Sequence, residues 1–239
     1  MKDFSQLRKN LKKDFSGFKS LKVALLGDTS TQFLSQAIRG EGFDAALDLK
    51  IWEADFNQIE MQVFNSDSEM YAFQPDIIVL FLSSHKLLNK YNKLKVEQQS
   101  SLATREIENI EAIVANISSN STAKIIYYNY NEIDDAVFGS FATKTETSFL
   151  YQLRKLNFEL MHIANRNTNF YICDLASIQN QVGKANFFHT SVYISTEMVV
   201  SLNVLPLVAQ KTVDILKVLN GKLKKCVILD LDNTVWGGI

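Results

Sequence analysis

Two places in the chain bring together residues that could do chemistry. The first is at its end. Cys226-Val227-Ile228-Leu229 is a short apolar run, and Asp230-Leu231-Asp232-Asn233-Thr234 follows it directly. In an extended segment alternate side chains share a side, so Asp230 and Asp232 project together from the end of a buried strand. The simpler alternative is an ordinary acidic turn after a strand. The second place is Gly27-Asp28-Thr29-Ser30, which closes the apolar run Leu21–Leu26. Its hydroxyls are either nucleophile candidates or part of a helix start. Thr29-Ser30-Thr31-Gln32 fits a capping box, in which a hydroxyl and the Gln32 amide satisfy free N–H groups.

The elements that must hold these residues alternate. Leu21 to Asp28 reads as a strand and turn, and Phe33, Leu34, Ala37 and Ile38 as a helix ended by Gly40. Strands follow at Ala45–Trp52, Asp76–Leu82, Lys124–Tyr128 and Phe170–Asp174. Helices are predicted from Ile107, Ile110, Val114 and Ile117, from Phe149 through Ile163, and from Leu205 to Leu219 with a stop at Gly221. Residues 1–20 carry Phe4, Leu7, Leu11, Phe15 and Phe18 at spacings of three or four, which predicts an N-terminal amphipathic helix. Continuous apolar strands separated by helices predict a mainly parallel sheet with both faces covered. Ligands of such sheets collect at the carboxyl ends of the strands. Asp28, Thr29, Ser30, Ser83, Ser84, His85, Asn129 and Asn131 all fall there.

Composition narrows the function classes. The chain has 239 residues, 46% of them apolar, and a formal charge of −1. Such a balance leaves no electrostatic footprint for nucleic acid or an anionic membrane. No apolar run approaches a bilayer span and the start lacks a signal peptide, so the expectation is a cytoplasmic protein with no membrane partner. Cys173 and Cys226 both sit in apolar runs and read as reduced core residues.

The terminal Asp-x-Asp-x-Thr, on its apolar strand, resembles the first motif of the haloacid dehalogenase superfamily of phosphatases and phosphotransferases. The following Val235-Trp236-Gly237-Gly238-Ile239 looks like the FkbH-like branch, subfamily IIIC. The resemblance implies that Asp230 attacks phosphorus. It implies that Asp232 protonates the leaving oxygen and then activates water, and that Thr234 holds a phosphate oxygen. Mg²⁺ would bind at Asp230 and Asp232, oxygen donors suited to a hard cation. The superfamily's second Ser/Thr, its Lys and its distal acidic pair have no counterpart in the nine residues after Asp230, so the expectation is a piece of a longer enzyme, inactive alone as a phosphatase. Members of the branch often carry an N-terminal domain resembling SGNH hydrolases. Some load a glyceryl unit from a phosphorylated small molecule onto an acyl carrier protein.

Within residues 21–221, Gly27-Asp28-Thr29-Ser30 is similar to the Gly-Asp-Ser block of SGNH hydrolases, and Asn186-Phe187-Phe188-His189 stands where they have Asp-x-x-His. The resemblance implies a dyad of Thr29 or Ser30 with His189. The oxyanion-hole Gly and Asn are not kept at Leu82-Ser83-Ser84-His85. The expected organisation is therefore an N-terminal helix at 1–20, a three-layer α/β/α SGNH/flavodoxin-like domain at 21–221, and the first strand and motif of a Rossmann-like phosphatase domain at 224–239. The leading functional expectation is a bacterial Mg²⁺-dependent FkbH-like phosphatase or phosphotransferase. The alternatives are an SGNH-type esterase or thioesterase, and a non-catalytic module that docks a carrier protein.

Overall fold

A computed structural model of the chain describes residues 2–133 and 135–222. Cys226, Asp230, Asp232 and Thr234, and the whole 224–239 segment assigned to a second domain, lie outside the described residues.

The chain opens with α1 (Phe4–Asn10), β1 (Lys19–Gly27), α2 (Gln32–Asp44) and β2 (Leu47–Glu53). The short helices α3 (Ile59–Phe64) and α4 (Glu69–Ala72) lead to β3 (Ile77–Phe81). Next come α5 (Ser84–Asn92), α6 (Val96–Gln99), α7 (Leu102–Asn120) and β4 (Lys124–Tyr128). After a 3₁₀ turn at Gly139–Phe141, α8 (Phe149–Arg166) feeds β5 (Phe170–Cys173). The described part closes with α9 (Leu175–Val182), α10 (Lys184–Phe187), α11 (Thr190–Thr196) and α12 (Leu205–Leu219).

The five strands pair in the order β2-β1-β3-β4-β5, and every pairing is parallel. Alternation along the strands makes two cores. Val23, Leu25, Val79, Ile126 and Tyr128 face α2, α9 and α12, whereas Ala24, Leu26, Ile78, Leu80, Ile125 and Tyr127 face α3, α5, α7 and α8. This is the expected three-layer α/β/α architecture. The order also fixes a topological switch point. The chain leaves β1 toward β2 on one side and builds outward from β3 on the other, so a crevice opens outside the carboxyl ends of β1 and β3.

Two expected elements differ from the fold. The N-terminal helix does not occupy residues 1–20. It starts on an Asp3–Gln6 capping box and ends at Asn10. The Asn10 amide is tied to the Gly40 carbonyl at 3.0 Å and to Asp44 Oδ2 at 3.0 Å, and Gly17, at φ +79°, turns the chain into β1. Phe15 and Phe18 therefore sit on no helix. They close over Phe43, with ring centroids 5.2 and 5.3 Å from it. Gly40 likewise does not end α2, which runs on to Asp44. The glycine is there because the Leu7 backbone crosses where its Cβ would be, so it permits close helix packing.

Candidate functional site

The switch point is assembled from three strand ends. Asp28, just past β1, donates its N–H to Phe81 O (3.2 Å), and its Oδ1 accepts the Ser83 N–H at 2.9 Å, so one carboxylate ties β1 to β3. Burial pushes the Asp28 carboxyl up to about 7, although the Ser83 N–H and the ammonium groups of Lys86 and Lys90 pull the other way. Ser83 then caps α5, accepting the Lys86 N–H at 3.2 Å. The loop after β2 comes close as well: Asn57, at φ +59°, donates its N–H to Gly27 O (3.4 Å).

Thr29 is 2% exposed, and its Oγ1 has no hydrogen-bond partner among the described residues. The expected capping box does not form. The helix begins at Gln32 with Thr31 as N-cap, and no side chain caps it. Thr31 takes the cap position with a helical ψ of −6°, leaving the Thr29 hydroxyl clear of the α2 amides. An unsatisfied buried hydroxyl costs about 1–3 kcal/mol, so this arrangement is held by the surrounding structure. Ser30 is half-buried, and its N–H donates to the Glu197 carbonyl at 3.4 Å.

A strap crosses this edge. His85 stacks between Phe188 (centroids 4.2 Å apart) and Tyr193 (4.6 Å), and its Nδ1 is buried with no hydrogen-bond partner among the described residues. Desolvation lowers the His85 imidazole to about 4, so it is neutral at physiological pH. Glu197, left-handed at φ +55°, ends α11 and accepts Lys86 Nζ at 3.0 Å. His189 is exposed at the N-cap of α11. Its carbonyl accepts the Tyr193 N–H, and no hydrogen bond joins its ring to Thr29 or Ser30 among the described residues.

The remaining polar residues of the edge are occupied structurally. Ser84 Oγ donates to Asn131 O at 2.7 Å, and the Asn129 amide donates to Asp174 Oδ1 at 2.8 Å. Sequence reading missed Lys86, Lys90, Lys93 and Asn57. The first three recur at helical spacing with Asn89, a pattern that by itself looks like a solvated face.

The family model for the FkbH N-terminal domain matches residues 22–217. The chain belongs to the FkbH N-terminal domain family. Among solved structures the domain is similar to the N-terminal part of the protein BF1531 from Bacteroides fragilis, which contains a phosphatase domain and was crystallised with Mg. The two are 44% identical with a TM-score of 0.91, over all of this chain and 62% of that one. The chain thus spans less than two thirds of that relative's length. A lipase/acylhydrolase from Enterococcus faecalis (16% identity, 87% of this chain and 100% of that one, TM-score 0.55) shares the fold. So does the acetyl xylan esterase AlAXEase (12% identity, 82% and 99%, TM-score 0.50). No curated protein matches the chain. The SGNH-like layout expected for the FkbH N-terminal domain is therefore the observed one. Among the described residues no helix is long and apolar enough to cross a membrane.

Proposed function

We propose that this chain is the N-terminal part of a Mg²⁺-dependent FkbH-like phosphatase or phosphotransferase whose chemistry resides in the Asp230 motif. The observation that carries the reading is the 44% identity, along the whole chain, to a protein part that contains a phosphatase domain complexed with Mg. Among the described residues no cluster of three or more His, Cys, Asp or Glu could hold a metal. The donor set that fits Mg²⁺ is the carboxylate pair Asp230 and Asp232, oxygen ligands of the kind this hard cation selects. Bound there, Mg²⁺ would neutralise charge on the transferring phosphoryl group.

In this reading Asp230 attacks phosphorus, the bond from phosphorus to the leaving oxygen breaks, and Asp232 delivers a proton to that oxygen. Asp232 then takes a proton from the water that releases the phosphoryl group from Asp230, and Thr234 donates a hydrogen bond to a phosphate oxygen. The substrate is a phosphorylated small molecule, and an acyl carrier protein is the partner onto which a glyceryl or related unit derived from it is loaded. The protein works in the cytoplasm.

The SGNH-like domain then serves as a non-catalytic module. The exposed His189, hydrogen-bonded to neither hydroxyl, favours this over an esterase. A general base must come within about 2.6–3.2 Å of its proton, or one water further. The test is phosphate release from small phosphate esters by the longer protein, with Mg²⁺ and with EDTA, followed by mass analysis of an added acyl carrier protein. Mg²⁺-dependent release supports the reading. Release unaffected by EDTA contradicts it, and an unchanged carrier mass removes the acceptor assignment.

A further inference from the structure

On the face of the sheet away from the strap, α3, α5 and α7 enclose an open cleft of about 520 Å³. Its position is the crevice outside the carboxyl ends of β1 and β3, where doubly wound sheets bind ligands, and its volume is within the range of small-molecule sites. Asp28 and Leu82 form the inner end. One wall is the polar stripe of α5 and its C-cap, Lys86, Asn89, Lys90 and Lys93, which repeats at helical spacing. Asn57 and Asn109 add amides from the facing elements, and Ile59 and Ile113 add apolar surface.

The charges in this cleft are unevenly spent. Lys86 is paired with Glu197 and Lys90 with Glu106, each at 3.0 Å. Lys93 has no carboxylate partner among the described residues. Glu60 is the one other acidic side chain on the lining besides Asp28. The stripe thus ends in an unpaired ammonium one turn from a paired one, with amides beside both.

We propose that this cleft binds the oxyanion group of a small molecule, a phosphate, sulfate or carboxylate, with Lys93 and Lys90 as its cationic contacts and Asp28 and the asparagine amides holding the adjoining polar part. The proposal uses no residue of the Asp230 motif, and it stands whether or not the phosphotransfer reading does.

The experiment titrates the protein with sodium sulfate, inorganic phosphate and acetate at constant ionic strength, reading the side-chain amide signals of Asn57, Asn89 and Asn109 by NMR. Saturable shifts in these amides are expected. The relative affinities of the three anions separate a phosphate-type site from a carboxylate-type one. Lys93→Glu should weaken binding by about tenfold, because it replaces an attraction with a repulsion at contact distance. Lys144→Glu, an equal charge change at an exposed lysine absent from the cleft lining, should change affinity by no more than about twofold once salt screens it.

Sulfate keeps its charge across neutral pH, so its affinity should fall as Asp28 loses its proton near 7. The other charged groups facing this region are Lys86, Lys90 and Lys93 of α5 and its C-cap, Glu60 of α3, Glu106 of α7, Glu197 at the end of α11 and Glu53 at the end of β2, and the His85 imidazole, lowered to about 4, is neutral across this range. Asp28→Asn should flatten this dependence. Absence of saturable shifts at millimolar sulfate overturns the proposal. So does equal weakening by Lys93→Glu and Lys144→Glu, which would mark a diffuse field rather than a site.

Discussion

The carboxyl edge of the sheet divides into two unlike halves. At the ends of β4 and β5 the polar groups are matched in pairs. Asn129 joins Asp174 and the Ala176 N–H, Gln179 exchanges two hydrogen bonds with the Glu132 backbone, and Asn157 does the same for Tyr130. At the ends of β1, β2 and β3 the buried atoms Thr29 Oγ1, Glu53 Oε2 and His85 Nδ1 have no hydrogen-bond partner among the described residues. Buried polar groups in native proteins are overwhelmingly satisfied, so three orphans at the neighbouring ends of β1, β2 and β3 mark this half as built for something other than stability. The matched half is scaffold. The unmatched half lies at the switch point, where the fold itself leaves a crevice.

The comparison is sharpened most by pH. Asp28 has a folded value near 7, well above that of an unfolded carboxyl, so the folded protein binds the extra proton. Its contribution is present at low pH and is lost as pH rises from about 4 through 7, on the order of 3 kcal/mol. His85 runs the other way. Its folded value near 4 lies below the unfolded imidazole, so its contribution grows as pH rises from about 4 to 6.5. Solvent reaching that ring leaves it the smaller effect, about 1–2 kcal/mol. Wild-type stability should change less with pH than either group alone implies. Asp28→Asn, measured by urea unfolding at pH 4.5 and 7, should be stabilised relative to wild type at the higher pH. An unchanged difference between the two would show that the unmatched half carries no titration strain.

Next in size is a break in the matched half. Asn129→Ala leaves the Ala176 N–H without its acceptor and removes one of the two donors to Asp174 Oδ1, which keeps the Ser177 N–H, and should cost about 2 kcal/mol in urea unfolding. A cost no larger than that of an exposed surface substitution would dissolve the distinction between the halves.

The smallest effects come from one substitution made twice. Thr212 Oγ1 meets Tyr128 Oη at 2.5 Å and the Val208 carbonyl at 2.8 Å, so Thr212→Val strands a buried phenol and should cost about 1–2 kcal/mol. Thr29→Val removes a hydroxyl that already lacks a partner, keeps the shape, and should be neutral or stabilising by up to about 1 kcal/mol. Thermal unfolding of the two variants side by side gives the sign of each, and destabilisation by both would refute the assignment of Thr29 as an orphan.

The layered fold was legible in the sequence because each strand is a continuous apolar run and each long helix keeps its apolar stripe. Val23 to Leu26 and Ile77 to Phe81 are buried on both faces and admit no other reading. The polar residues of the strand ends were legible as a group for the same reason. Their partners were not, because partners depend on crossings that the local pattern does not encode. Gly40 looked like a helix stop, yet it serves the passage of Leu7, which lies 33 residues earlier. Thr29-x-x-Gln32 looked like a cap, and the chain started its helix later. The resemblance to SGNH hydrolases singled out His189 as a base; in the fold it is exposed at the N-cap position of α11, with no side-chain cap hydrogen bond, while its neighbour Phe188 packs on His85. The lysines of α5 were invisible as a site because a polar stripe facing a cleft and one facing water have the same periodicity.

The central claim is that phosphoryl chemistry belongs to the Asp230 motif and not to the hydroxyls of the SGNH-like domain. Its most direct test is the steady-state rate of phosphate release by the longer protein with Mg²⁺, comparing Asp230→Asn with the Ser30→Ala, His189→Ala double variant. Turnover abolished by the first and unchanged in the second is the predicted result. Turnover retained in Asp230→Asn, or lost in the folded double variant, would contradict it.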